Sequence, residues 1–367
     1  MSAATASEGV NEFVEKLSGG QPFAEFEAEF FRSARPSSLL QRFARPEEVA
    51  NLVVYVCSEA SSATNGAALR ADGLRVRVLT RREPAGPDEI RGDLCQPASL
   101  AAACAGIDTV FHCAGHAHAF GALSADEAAR HRQVNFEGTR ALAEAAGRAG
   151  VRRFVFLSSV KAMGEPLEAC IDEDWPAPPT GAYGQAKRAA EDALQAAAGD
   201  YGMHAVSLRL AMVYGAGGRG NLERMAALVR RGVFPPLPET GNRRSLVHVS
   251  DVVAAIRRVA VDPRAAGRSY IVAHPQTHSG RQLFDALRAA QGMAPVAWGV
   301  PRGLLTAAAR LGDGVEALLS RRVPLDSEAL GRLLGSACYS PARIERELGW
   351  RARVELAEGL REMLGGR

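Results

Sequence analysis

The sequence predicts an α/β protein built on a doubly wound parallel sheet, with a smaller C-terminal cap. Two patterns carry that expectation. Apolar runs at 76–79, 109–113, 154–158, 205–210 and 269–272 lack the polar alternation of a half-exposed strand. Alanine-rich stretches at 97–105, 131–149, 184–198 and 252–261 separate them and read as helices. Strands without alternation, each followed by a helix, belong to a parallel sheet covered on both faces. At 367 residues the chain is long enough for two or three domain-sized units.

Taken in order, residues 1–73 stand outside that rhythm. Pro46-Glu47-Glu48 followed by Val49, Leu52, Val53 and Val56 reads as a helix, with Pro and acids in its first turn and apolar residues at helical spacing. Asn65-Gly66 breaks the chain before a short apolar run at 67–71. Residues 74–273 form the strand–helix core. In 274–367 the regularity fades, and 283–291, 303–319 and 326–334 read as helices of a cap. The apolar stretch 304–319 carries Arg310 and Asp313, which makes it an amphipathic helix rather than a membrane contact.

Composition excludes several classes. Lys+Arg 44 against Asp+Glu 41 leaves +3, too balanced for a nucleic-acid or anionic-membrane partner. The six cysteines are scattered without a Cys-x-x-Cys pair, so neither a zinc ribbon nor a disulfide framework is expected, and a reducing cytoplasm fits. No apolar run reaches about 18 residues, and the start has no signal-peptide pattern. His112, His116 and His118 cluster after a strand, but no carboxylate or cysteine follows at a ligand-like spacing, so no metal is expected.

The chemistry centres on Tyr183 and Lys187 in Gly181-Ala-Tyr-Gly-Gln-Ala-Lys. Positions i and i+4 share a helix face, so the ammonium can sit beside the phenol. A free tyrosine titrates near pH ~10, and a fixed positive charge favours its phenolate, making it a proton donor and acceptor. Phe154-Val-Phe-Leu-Ser-Ser-Val is a buried strand ending in the hydroxyls of Ser158 and Ser159. In open parallel sheets chemistry gathers at such carboxyl ends. Asp108-Thr-Val-Phe-His-Cys-Ala-Gly ends another strand in Cys113, Ala114 and Gly115, small residues that admit a flat cofactor, and Asn135 opens the next helical stretch.

From about residue 69 onward these landmarks resemble an extended short-chain dehydrogenase/reductase of the NAD-dependent epimerase/dehydratase group. In order they are Gly92-Asp93-Leu94, His112-Cys-Ala-Gly115, Val134-Asn135, Ser158-Ser159, Tyr183-x-x-x-Lys187, Leu208-Arg209, Val213-Tyr214-Gly215, Arg244-Ser-Leu-Val-His248-Val-Ser-Asp251 and Leu348-Gly349-Trp350. Ser158-Ser-Val-Lys161 with Gly241-Asn-Arg-Arg-Ser-Leu-Val resembles the O-antigen branch, which acts on nucleotide-linked hexoses. The resemblance implies a Rossmann-like fold and a nucleotide-sugar substrate, UDP-hexose or 4-keto-hexose, reduced or epimerised at C4. It implies that Ser159 bonds the reacting sugar oxygen, that Tyr183 moves the proton and that Lys187 holds the nicotinamide ribose, with Asn135 shaping the proton path. Asp93 and Leu94 would edge the adenine, and Cys113, Ala114, Gly115 and Ser158 would line the cofactor. Asn221, Arg244 and Arg219 are candidates for the substrate diphosphate, where a guanidinium fork suits phosphate. Lys161 either reaches the substrate or is simply solvated. Thr80-Arg81-Arg82 follows the strand at 76–79 where NAD-specific chains place an acid, so Arg81 favours NADP, with NAD the alternative. Such chains are often homodimers.

One part of that family's pattern is missing. The sequence contains no strand followed by Gly-x-x-Gly-x-x-Gly, whose helix N-terminus holds the cofactor pyrophosphate. Instead, Ser37-Ser-Leu-Leu-Gln-Arg-Phe-Ala-Arg-Pro-Glu-Glu-Val and Ala63-Thr-Asn-Gly-Ala-Ala-Leu-Arg-Ala-Asp-Gly73 resemble the C-terminal end of a single-domain short-chain dehydrogenase, implying a fusion of two reductase genes. A surrogate strand at 52–57 would put Val56, Glu59 and Ser62 at the glycine positions, a poor phosphate cradle. Loss of the first, central strand should expose two strand edges. Three readings stand: an NAD(P)-dependent epimerase or reductase of nucleotide sugars, a non-catalytic nucleotide-sugar binder or fusion remnant, and an acyl or small-ketone reductase.

Overall fold

Apolar runs without alternation become the strands of one sheet, because a strand covered on both faces needs apolar side chains on both. The computed structural model describes residues 67–68, 76–86, 88–116, 125–166, 169–218, 220–319 and 326–365. The strands are β1 (Ala67–Ala68), β2 (Arg77–Thr80), β3 (Glu89–Arg91), β4 (Thr109–His112), β5 (Arg153–Ser159), β6 (His204–Leu210), β7 (Met212–Tyr214), β8 (Leu246–His248) and β9 (Arg268–Val272). The main sheet runs β3-β2-β1-β4-β5-β6-β9, and β7 pairs with β8 in a separate parallel ribbon. Apart from β1, every pairing in the main sheet is parallel.

The helices are α1 (Leu100–Cys104), α2 (Ala125–His131), α3 (Gly138–Arg148), α4 (Ala182–Tyr201), α5 (Asn221–Arg230), α6 (Val249–Val261), α7 (Gly280–Ala290), α8 (Arg302–Leu319), α9 (Ser327–Leu334), α10 (Ala342–Leu348) and α11 (Leu356–Gly365). The period-two geometry of β5 divides the core. Phe154 and Phe156 point to the face covered by α1, α3 and α4, while Val155 and Leu157 point to the face covered by α6 and α10. A third apolar cluster holds the cap together, with Leu283, Phe284 and Leu287 of α7 packed on Leu356 and Leu360 of α11. Among the described residues no helix is long and apolar enough to cross a membrane.

Three expectations are corrected. The two edges left by the missing central strand are bridged: β1 runs antiparallel to both neighbours, Ala67 opposite Val78 and Phe111, Ala68 opposite Arg77. Its two described residues close the seam in the antiparallel sense. The helix expected over 131–149 is divided, because a π-helical segment, Arg132–Glu137, separates α2 from α3. The cysteines are not all unpaired either. Cys170 and Cys338 lie 168 residues apart and are joined by a disulfide, a pairing that spacing alone does not reveal. The helix expected at 46–56 and the surrogate strand at 52–57 lie outside the described residues.

Candidate active site

The site lies at the carboxyl ends of β4 and β5, the edge where open parallel sheets gather their chemistry. α4 is drawn tightly onto the turn after β5. A Cβ at Gly184 would fall 2.1 Å from the Lys161 carbonyl oxygen, so only glycine permits this approach one residue beyond Tyr183. A buried cluster fixes α4 from below: Arg209 of β6 donates to Glu191 of α4 at 2.7 Å, and Ser158 donates to the same carboxylate at 2.5 Å. The Ser158 hydroxyl, expected to line the cofactor, is thereby engaged inside the fold.

Lys187 is 4% exposed, so its ammonium must be met by protein. Nζ donates to the Leu157 carbonyl at 2.9 Å and lies 4.6 Å from the centre of the Phe156 ring. Tyr183, one turn earlier, is partly exposed and meets the edge of the His131 ring at 5.4 Å between centroids. Ser159 ends β5, partly exposed, and its Oγ accepts from the Lys161 backbone N–H at 3.2 Å.

Asn135 lies within the π-helical segment, a geometry that often marks functional sites. Its amide bonds both backbone groups of His116: Oδ1 accepts from N–H at 2.7 Å and Nδ2 donates to the carbonyl at 2.8 Å. This fixes the loop after β4 against the helix carrying Asn135. A Cβ at Gly115 would stand 3.0 Å from Asn135 Oδ1 and 3.4 Å from Lys187 Nζ, so the bare backbone here keeps the three groups together. Such a cradle beside a buried lysine fits the nicotinamide end of a dinucleotide.

His112 completes the support. It is fully buried, donates from Nε2 to Thr139 Oγ1 at 2.8 Å, and stacks on Phe156 at 5.3 Å. The Thr139 hydroxyl donates in turn to the Asn135 carbonyl at 2.8 Å. Burial, and then the Lys187 charge, push the His112 pKa down from 6.5 to about 3. The folded form therefore keeps His112 neutral, while the unfolded chain takes up a proton below its pKa of 6.5. This contribution is fully present above 6.5 and is lost as pH falls from there toward 3, by up to about 1.4 kcal/mol per pH unit. Urea unfolding at about pH 7 and about pH 5 checks it: His112→Gln should shrink the stability difference between the two.

Other expected site residues have different surroundings. Asp93 accepts from the Cys95 backbone at 2.9 Å, and Leu94, 1% exposed, belongs to the apolar core. Arg81 is exposed directly after β2, and Arg82 pairs with Glu89 at 2.9 Å. Cys113 is partly exposed, Ala114 is buried, and Gly115 is exposed. Lys161 is exposed and ion-paired with Glu165, the solvated alternative. Arg244 donates to the carbonyls of Arg332 and of Gly335, the latter at 3.1 Å, and burial lowers its pKa. Asn221 is exposed at the start of α5, and Arg219 lies outside the described residues. Sequence reasoning missed Glu127 and His131: Glu127 Oε1 lies 2.7 Å from His116 Nε2, and His131 packs on both His116 and Tyr183.

Fold and site together define a Rossmann-like oxidoreductase-type protein with a Tyr-x-x-x-Lys helix. More narrowly, the chain belongs to the NAD dependent epimerase/dehydratase family, whose model matches residues 66–273. A UDP-glucose 4-epimerase of Vibrio cholerae is 32% identical over 259 residues, 69% of this chain and 74% of that protein. A 2-alkyl-3-oxoalkanoate reductase of Stenotrophomonas maltophilia is 27% identical over 297 residues, 76% of this chain and 86% of the other. Among solved structures, MoeE5 in complex with UDP-glucose and NAD superposes with a TM-score of 0.60 at 26% identity, covering 78% of this chain and 88% of MoeE5.

Proposed function

We propose that the chain is an NAD(P)-dependent oxidoreductase or epimerase acting at C4 of a nucleotide-linked sugar. The placement of Lys187 carries this reading. A buried ammonium, bonded to the Leu157 carbonyl and one helical turn from Tyr183, is where a nicotinamide ribose and a reacting hydroxyl would share a cation. Gly115, Asn135 and Lys187 would hold the nicotinamide half of the dinucleotide, and Arg81 would meet an adenosine 2′-phosphate, favouring NADP over NAD. The bound cofactor would supply hydride exchange with the sugar carbon. Tyr183 would take the proton from the C4 hydroxyl or return it to the C4 carbonyl oxygen, with Ser159 holding that oxygen in line.

A ketone without a nucleotide is the second reading. Arg244, the expected diphosphate ligand, is engaged with backbone carbonyls, which favours a substrate lacking that group. Incubating the chain and cofactor with UDP-glucose, a 4-keto nucleotide hexose and a small β-keto acid separates the two. Interconversion of sugar epimers by chromatography, or cofactor oxidation with the keto sugar, supports the first. Oxidation with the keto acid alone replaces it by the second, and cofactor binding without turnover of any of them leaves a non-catalytic binder.

A further inference from the structure

His116, Glu127 and His131 converge beside Tyr183 from two segments. His116 follows β4, whereas Glu127 and His131 are four residues apart on α2 and so share one helix face. One ligand atom from each lies within 4.8 Å of the other two. Around an ion bound at 2.0–2.2 Å, three tetrahedral ligand atoms stand roughly 3.3 Å apart. Small rotations of the partly exposed His116 and Glu127 side chains bridge that difference, opening their 2.7 Å contact and closing the remaining distances.

His131 gives a second, independent indication. Its ring is fully buried, yet among the described residues Nε2 has no hydrogen-bond partner. The other nitrogen is occupied: Nδ1 accepts from Asn135 Nδ2 at 3.2 Å. An amide nitrogen only donates, so Nδ1 accepts from Asn135 and Nε2 carries the ring proton, whose place an ion bound there would take. A buried nitrogen with no partner is rare and calls for an explanation.

We propose that His116, Glu127 and His131 form a binding site for a divalent first-row transition ion of the zinc class. Two imidazoles and one carboxylate are a typical zinc or cobalt donor set, and three protein ligands leave a fourth position for water or substrate. The ring contact between His131 and Tyr183 puts the site at the wall of the candidate active site. Spacing along the chain hides it, since the second and third ligands come eleven and fifteen residues after the first.

Co2+ titration of the tag-free full chain, stripped of metal beforehand, tests the site through visible absorption that does not depend on turnover. The expected result is saturation at one ion per chain, with bands typical of low-coordinate Co2+ that Zn2+ displaces. Glu127→Gln and His131→Ala should each weaken binding by at least about tenfold, while His204→Gln, on a histidine elsewhere, should leave it unchanged. Circular dichroism establishes that each variant is folded. Because Glu127 is partly exposed, its variant decides the matter if the buried His131 substitution unfolds the chain. Absence of saturable binding, or binding unaffected by Glu127→Gln in a folded protein, overturns the proposal.

Discussion

Tyr183→Phe should lower turnover by about 10²- to 10⁴-fold, the usual contribution of a positioned proton carrier, while leaving the fold and cofactor affinity intact. The specificity of that loss follows from how α4 is held. Its anchors are the Glu191–Arg209–Ser158 cluster and the close approach at Gly184, none of which involves the phenol hydroxyl. Lys187 takes its fixed bond from the Leu157 carbonyl, so the ammonium keeps its place when the tyrosine oxygen is removed. The aromatic ring that meets His131 also remains. Cofactor binding and single-turnover rates, measured separately on both proteins, check the expectation. A drop in rate at unchanged cofactor affinity supports Tyr183 as the proton carrier, and an unchanged rate assigns that role elsewhere.

What was legible in the sequence was what depends on neighbours along the chain. The apolar runs gave β2, β4, β5, β6 and β9, and the i, i+4 spacing brought out Tyr183 and Lys187. Features set by distant residues were not legible. The π-helical turn at Asn135 accompanies a pair of hydrogen bonds to His116, nineteen residues away. Nothing local to Ser158 announces its partner Glu191, thirty-three residues further on. Arg244 has the right chemistry for a diphosphate, but its carbonyl partners come from the cap about ninety residues later. The grouping of His116, Glu127 and His131 is hidden for the same reason: a strand end and a helix face meet only once the chain has folded.

Replacing residues 1–73 with a strand, a Gly-x-x-Gly-x-x-Gly turn and a helix should tighten NAD(P)H binding by about 10²-fold or more, because each charge-assisted hydrogen bond to the pyrophosphate contributes about 1.5–3 kcal/mol. Gly115, Asn135 and Lys187, which are already held together, would form the nicotinamide end of the proposed site. The native sequence lacks the other end: no glycine fingerprint precedes β2, and in the most favourable register Glu59 would oppose the phosphate charge. The sheet leads to the same substitution. Among the described residues β1 meets β2 at two positions and β4 at one, both in the antiparallel sense, so a parallel strand of ordinary length between them should lengthen both ladders and raise the thermal midpoint as well. Fluorescence titration with NADH and NADPH, on the native and grafted chains side by side, reads the affinity change. If the native chain already binds as tightly as the graft, its residues before position 74 supply a phosphate site of their own, and Glu59→Gln should then tighten it further by removing the opposing charge. If only the graft binds, the native chain holds Tyr183 and Lys187 without the means to retain their cofactor.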